Sequence, residues 1–178
     1  MDHNSVWVRQ LNKKVHIMEG QGSVVARKAP EFTLYCHTNQ VVRLSDYLFN
    51  GPVMLVFYPK DFTMVCTKQL CNYRDNLDDF KKFGIQILAI SSNPIVSHAK
   101  FAEKYELPFP LLTDPGNLIA KSFGCTSLLM LGNVSRAVFI LNKKGIILYR
   151  YVEPTILTRR TSDELVNVMS DLRTNGII

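Results

Sequence analysis

Two stretches, Val53–Tyr58 and Ile85–Ser91, are nearly unbroken runs of apolar, β-favouring residues. A strand with no polar face has no side to turn to water, so both read as strands buried on both faces at the centre of a sheet. Between them, Leu70, Tyr73, Leu77 and Phe80 recur at three- and four-residue steps, which predicts a helix over Thr67–Phe83 ended by Gly84. Strand, helix, strand is a crossover unit, and it commits the chain to covering a sheet with helices.

The rest of the chain extends that unit. Pro94–Tyr105 reads as a second helix with Asn93 as its cap and Pro94 in its first position. After an irregular stretch and a small helix near Asn117–Phe123, Ala137–Leu141 and Ile146–Tyr151 form a hairpin across Asn142–Gly145. Ser162–Thr174 is an amphipathic helix with Thr161 or Ser162 near its cap and Gly176 past its end. Upstream, Phe32–Cys36 and Gln40–Arg43 are short extended segments, and Leu44–Leu48 is a helical turn. The order predicts an α/β chain of thioredoxin-like fold, a central mixed sheet with helices on both faces, with Leu107–Ser135 inserted before the hairpin. Residues 29–178 would form this domain. Residues 1–28 read as an N-terminal β extension, with a hairpin pairing Lys14–Met18 and Ser23–Ala26.

Composition narrows the function classes. The 178 residues are 47% hydrophobic and 20% charged, which fits one globular domain. The net charge is +6, yet no basic run exceeds two residues, so the sequence points away from nucleic acid. The apolar runs are far short of the roughly 20 residues of a membrane-crossing helix. Met1–Gln10 lacks the apolar centre of a secretion signal, so a cytosolic location is expected. In that compartment the four cysteines are not expected to be a static disulfide framework. They contain no C-x-x-C, and the histidines do not pair with them at ligand spacing, so no metal is expected. His98, in a helical stretch, reads as an ordinary surface or core residue.

The chemistry concentrates in Tyr58-Pro59-Lys60-Asp61-Phe62-Thr63-Met64-Val65-Cys66-Thr67-Lys68-Gln69-Leu70-Cys71. Cys66 stands where the loop after the central strand becomes a helix. A helix start offers unpaired N–H groups and the positive end of the dipole, which favours a thiolate. Cys66 alone would equally suit a buried, inert thiol. Singly, Pro59 reads as a strand terminator, Thr63 as a loop hydroxyl, and Arg136 as a charge at a strand edge.

Together, these residues resemble the signature Pro-x-x-x-Thr-x-x-Cys of the peroxiredoxin family, with Pro59, Thr63 and Cys66 filling it and Arg136 matching the arginine that opens a later strand. The likeness runs from Arg27-Lys28-Ala29-Pro30-Glu31-Phe32 to the last helix. It implies a peroxidase without cofactor, in which Cys66 attacks a peroxide and becomes a sulfenic acid. By the same resemblance, Arg136, the Thr63 hydroxyl and the backbone N–H groups of Met64–Cys66 face the developing charge, and Pro59 shields the sulfur. The spacing from Cys66 to Cys71, followed by Asn72-Tyr73-Arg74-Asp75, resembles the bacterioferritin-comigratory, or Q-type, subgroup. That implies Cys71 as the resolving thiol, a thioredoxin-like protein as reductant, and a monomer or weak homodimer. Gln69 reads either as a brace for the loop or as a surface residue. Met64-Val65 departs from the Pro-Gly common before this cysteine. Cys36 and Cys125 match no family position and read as structural.

Helix geometry adds a constraint on that pair. From Cys66 to Cys71 a helix climbs about 7.5 Å and turns through about 140°, which puts the Cα atoms ~8.6 Å apart. Disulfides need about 6.8 Å or less, so the helix must unwind for the bond to form. Two other readings compete with a peroxidase. A thiol–disulfide oxidoreductase is disfavoured by the missing C-x-x-C, and a non-enzymatic binding or chaperone module would consume no peroxide.

Overall fold

The structure, a computed structural model, describes residues 26–126 and 134–178. The strands are β1 (Arg27–Lys28), β2 (Thr33–Cys36), β3 (Val41–Arg43), β4 (Val53–Phe57), β5 (Gln86–Ser91), β6 (Leu111–Thr113), β7 (Ala137–Leu141) and β8 (Ile146–Val152). The helices are α1 (Leu44–Asn50), α2 (Met64–Asp75), α3 (Leu77–Lys81), α4 (Ile95–Lys104), α5 (Leu118–Ser122) and α6 (Ser162–Thr174), with a 3-10 turn at Pro115–Asn117. The expected hairpin lies, except for Ala26, outside the described residues. Arg27 and Lys28 pair with Ile147 and Ile146, so the last residues assigned to the extension form an edge strand of the sheet.

All eight strands join one mixed sheet in the order β1-β8-β7-β4-β5-β6-β2-β3. Strand β4 runs parallel to β5 and antiparallel to β7, and every one of its residues is buried. Its alternation divides the core. Met54 and Val56 face Leu70 and Tyr73 of α2, Phe101 of α4 and Leu165 and Met169 of α6. Val53, Leu55 and Phe57 face Leu44 and Leu48 of α1 and Ala120 of α5. Both faces are therefore covered, as the absence of a polar face in Val53–Phe57 requires.

The elements differ from the sequence expectation mainly in the helix after β4, the cap of the next helix and the inserted stretch. The helix expected over Thr67–Phe83 starts at Met64 and breaks at Asn76, which has φ −113° and ψ 24°. The Asn76 side chain donates to the Asn72 carbonyl at 2.8 Å, the local competition by which asparagine interrupts helices. Gly84, at φ 67°, lies past α3 as predicted. Pro94 rather than Asn93 is the N-cap of α4, because the Asn93 side-chain oxygen accepts from Asp61 N–H and the Ser91 hydroxyl. Strand β6 lies in the stretch read as irregular, where Pro108 and Pro110 hide a three-residue strand that pairs with β5 and β2. At the last helix, Thr161 caps α6 in a reciprocal capping box with Glu164.

Candidate active site

Strand β4 delivers the chain to Tyr58 and Pro59 just past its carboxyl end, in the middle of the sheet, and a short loop returns it to the start of α2. The first hydrogen bond of that turn runs from Thr67 N–H to the Thr63 carbonyl at 2.9 Å. The N–H groups of Met64, Val65 and Cys66 thus precede the helical ladder. Cys66 lies in this first turn, and only 1% of its surface is exposed.

Arg136 meets it from the residue before β7. Its Nη1 donates to Cys66 Sγ at 2.9 Å, Nε to the Thr158 carbonyl at 3.0 Å and Nη2 to the Ile156 carbonyl at 3.0 Å. All three nitrogens of the guanidinium are engaged, so the fork cannot swing, and the side chain is 3% exposed. A buried cation that aims one N–H at the sulfur, its other nitrogens tied to carbonyls, is a rigid donor beside it.

The other expected residues fall around this contact in different ways. Thr63 is the N-cap of α2, but its hydroxyl makes no capping bond and instead donates to the Lys60 carbonyl at 3.0 Å, closing the loop. Pro59 is half-buried, two residues past the end of β4. Cys71 lies half-buried on the same unbroken helix as Cys66, and both are free thiols. Burial pushes the Cys71 thiol up, against a downward pull from Arg74. Gln69 is fully buried, so its surface reading falls. Its Nε2 donates to the Tyr73 hydroxyl at 3.0 Å, which donates to the Arg160 carbonyl at 2.8 Å. Gln69 thereby braces α2 against the approach to α6. Cys36 and Cys125 are buried among apolar residues. Burial pushes the Cys125 thiol up to about 12.

One group near the site was not singled out from sequence. Asp61, in the loop before Cys66, is buried and accepts from Tyr58 Oη at 2.8 Å and Ser97 Oγ at 2.6 Å, with His98 Nδ1 at 3.0 Å. Because the Tyr58 hydroxyl donates to Asp61, the Nδ1 of His98 must carry the proton that faces the carboxylate. Burial pushes the Asp61 carboxyl up, but hydrogen bonds from His98, Ser97 and Tyr58 and the charge of His98 outweigh it and hold it below its ordinary value. Tyr58 lies just past β4, whereas Ser97 and His98 lie on α4, far away in sequence, and only the fold joins them to Asp61.

Comparison with known proteins places this geometry in a family. Residues 25–150 match the AhpC/TSA family. The chain is 44% identical over 123 residues to chloroplastic peroxiredoxin Q of Triticum aestivum, covering 68% of this chain and 56% of that protein. It is 43% identical over 119 residues to chloroplastic peroxiredoxin Q of Populus jackii, covering 66% and 55%. The chain thus spans little more than half the length of these curated relatives. Among solved structures, peroxidoxin BcpB of Mycobacterium tuberculosis superposes with a TM-score of 0.74 at 30% identity, over 85% of this chain and 97% of that one. A cysteine mutant of Xanthomonas campestris peroxiredoxin Q shares the fold, with a TM-score of 0.69 at 23% identity over 80% and 90% of the two chains. A matched family region that holds Pro59, Thr63, Cys66 and Arg136, on this sheet, makes the chain a member of the AhpC/TSA family, the peroxiredoxins.

Proposed function

We propose that this chain is a thiol-dependent peroxidase acting on hydrogen peroxide and organic hydroperoxides. The observation that carries the reading is the 2.9 Å contact from Arg136 Nη1 to a buried cysteine sulfur at a helix start. The Cys66 thiolate attacks one peroxide oxygen, the O–O bond breaks, and the departing alkoxide or hydroxide takes a proton to leave as alcohol or water. Sulfur is oxidised to the sulfenic acid and the peroxide is reduced. The Arg136 fork and the free N–H groups of the first turn face the charge that builds on the oxygens. Pro59 shields the sulfur, and Thr63 holds the loop from the Lys60 carbonyl.

Cys71 then attacks the Cys66 sulfenic acid, forming the disulfide and releasing water. A thioredoxin-like dithiol protein restores both thiols and is itself oxidised. Four free cysteines, including this pair, fit a reducing compartment, and we place the protein in the cytosol as a monomer or weak homodimer. Recovery in an organelle fraction, or a tight dimer in sedimentation, would overturn those two assignments.

The deciding experiment is peroxide turnover with thioredoxin. Wild type should turn over, Cys66→Ser should fall to background because serine forms no sulfenic acid, and Cys71→Ser should stall after one equivalent of peroxide. Full turnover by Cys66→Ser would overturn the reading.

A further inference from the structure

Phe62, next to Asp61 in the loop that leads to Cys66, has φ 60°, in the left-handed region that a bulky aromatic residue rarely adopts. Such strain persists only where the surroundings over-determine it. Here the surroundings are visible on both sides. The Phe62 ring packs on Phe101 with centroids 4.9 Å apart and on Tyr105 at 6.4 Å, both at or near the end of α4. The preceding residue is held more firmly: the Asp61 carboxylate takes Tyr58, Ser97 and His98, and its N–H donates to Asn93 Oδ1 at 3.1 Å. His98 is wholly buried, and its Nε2 has no hydrogen-bond partner among the described residues, so the Asp61 carboxylate is the acceptor that fixes the ring.

We infer that Asp61 is a positioning residue: with Ser97 and His98 of α4 it latches the Cys66 loop closed against the strain at Phe62, and so sets how long an oxidised Cys66 stays beyond the reach of Cys71. This rests on the peroxidase reading. While the latch holds, α2 keeps Cys66 under Arg136 and away from Cys71. A sulfenic acid waiting there can meet a second peroxide, whose O–O bond breaks as sulfur is oxidised to the sulfinic acid and water or an alcohol leaves. When the latch opens, the left-handed turn relaxes, α2 unwinds, and Cys71 closes the disulfide with loss of water. The latch therefore trades speed of the peroxide step, which needs the closed loop, against speed of resolution, which needs the open one.

Two variants test this. Asp61→Asn keeps the size of the side chain but removes the charge that holds three donors. Ser97→Ala removes one donor from a different element and is the milder change if the first folds poorly. In the reduced state, both should speed hydrogen exchange over residues 60–73, by about tenfold for Asp61→Asn. After one equivalent of peroxide they should slow sulfenic acid formation and speed disulfide formation, and in excess peroxide they should lower the sulfinate yield seen by mass spectrometry. Unchanged exchange in both variants would overturn the latch, as would equal slowing of the two chemical steps, the mark of mere structural damage. If wild type consumed no peroxide, the peroxidase reading would fall, while the exchange comparison would still decide whether Asp61 holds the loop.

Discussion

Arg136 touches Cys66 through one nitrogen and spends its other two on backbone carbonyls. The sulfur thus faces a donor whose position is fixed before any substrate arrives. Preorganised donors cost no rearrangement as charge develops, the condition under which they accelerate a reaction most. Replacing Arg136 with methionine keeps bulk and removes every donor. The peroxide step should slow by about 10²-fold or more, measured by stopped flow on reduced protein. A rate equal to wild type would show that another group carries the charge.

Oxidation should melt the start of α2. With Cys66 and Cys71 on one continuous helix, their ~8.6 Å Cα separation exceeds disulfide reach. Amides of Thr67–Tyr73 should exchange faster in the disulfide form than in the dithiol form, while Val53–Phe57, bonded to strands on both sides, stays protected. Equal protection with the bond confirmed by mass mapping would mean that the pair joins without unwinding.

Tyr73 ties Gln69 to the Arg160 carbonyl inside the core. Tyr73→Phe leaves both partners buried without the hydroxyl between them, and should cost about 1–3 kcal/mol in urea unfolding. A loss under about 0.5 kcal/mol, the range of surface changes, would mean that the chain of bonds is unimportant to α2.

Cys125 supplies a pH test. Its thiol is held up to about 12, from 9.0, chiefly by burial. Above pH 9 the unfolded chain therefore loses this proton while the folded one keeps it, so the unfolded state binds fewer protons and stability falls as pH rises. The loss sets in as pH approaches 9 and levels off above about 12. Between pH 7.5 and 10, Cys125→Ala should lose about 1.4 kcal/mol less than wild type. Identical pH slopes for the two proteins would contradict the burial argument.

The features visible in the sequence are those carried by local pattern. Val53–Phe57 announces a central strand because it has no polar face, and Thr161 or Ser162 announces a helix start because caps are local, though only the structure picks Thr161 and pairs it with Glu164. Cys66 and Arg136 could be named from the family signature, but their contact depends on β4 and β7 pairing side by side. The Asp61 cluster was not legible at all. Its acceptor and its donors from α4 lie 36 and 37 positions apart, and no single residue among them is unusual in its own stretch. Strand β6 was hidden for a similar reason, since its identity as a strand comes from the neighbours that flank it rather than from its three residues.

The loop that receives Arg136 does so through the carbonyls of Ile156 and Thr158, and the side chains it displays to water, Ile156 at 54% and Leu157 at 75% exposure, take no part. Every residue has a carbonyl. Inheritance should therefore be strict about the length of this segment and indifferent to much of its spelling. Among descendants of this chain, substitutions at 156 and 157 should accumulate freely, whereas the gain or loss of a single residue between Glu153 and Arg160 would shift both acceptors out of register and be purged.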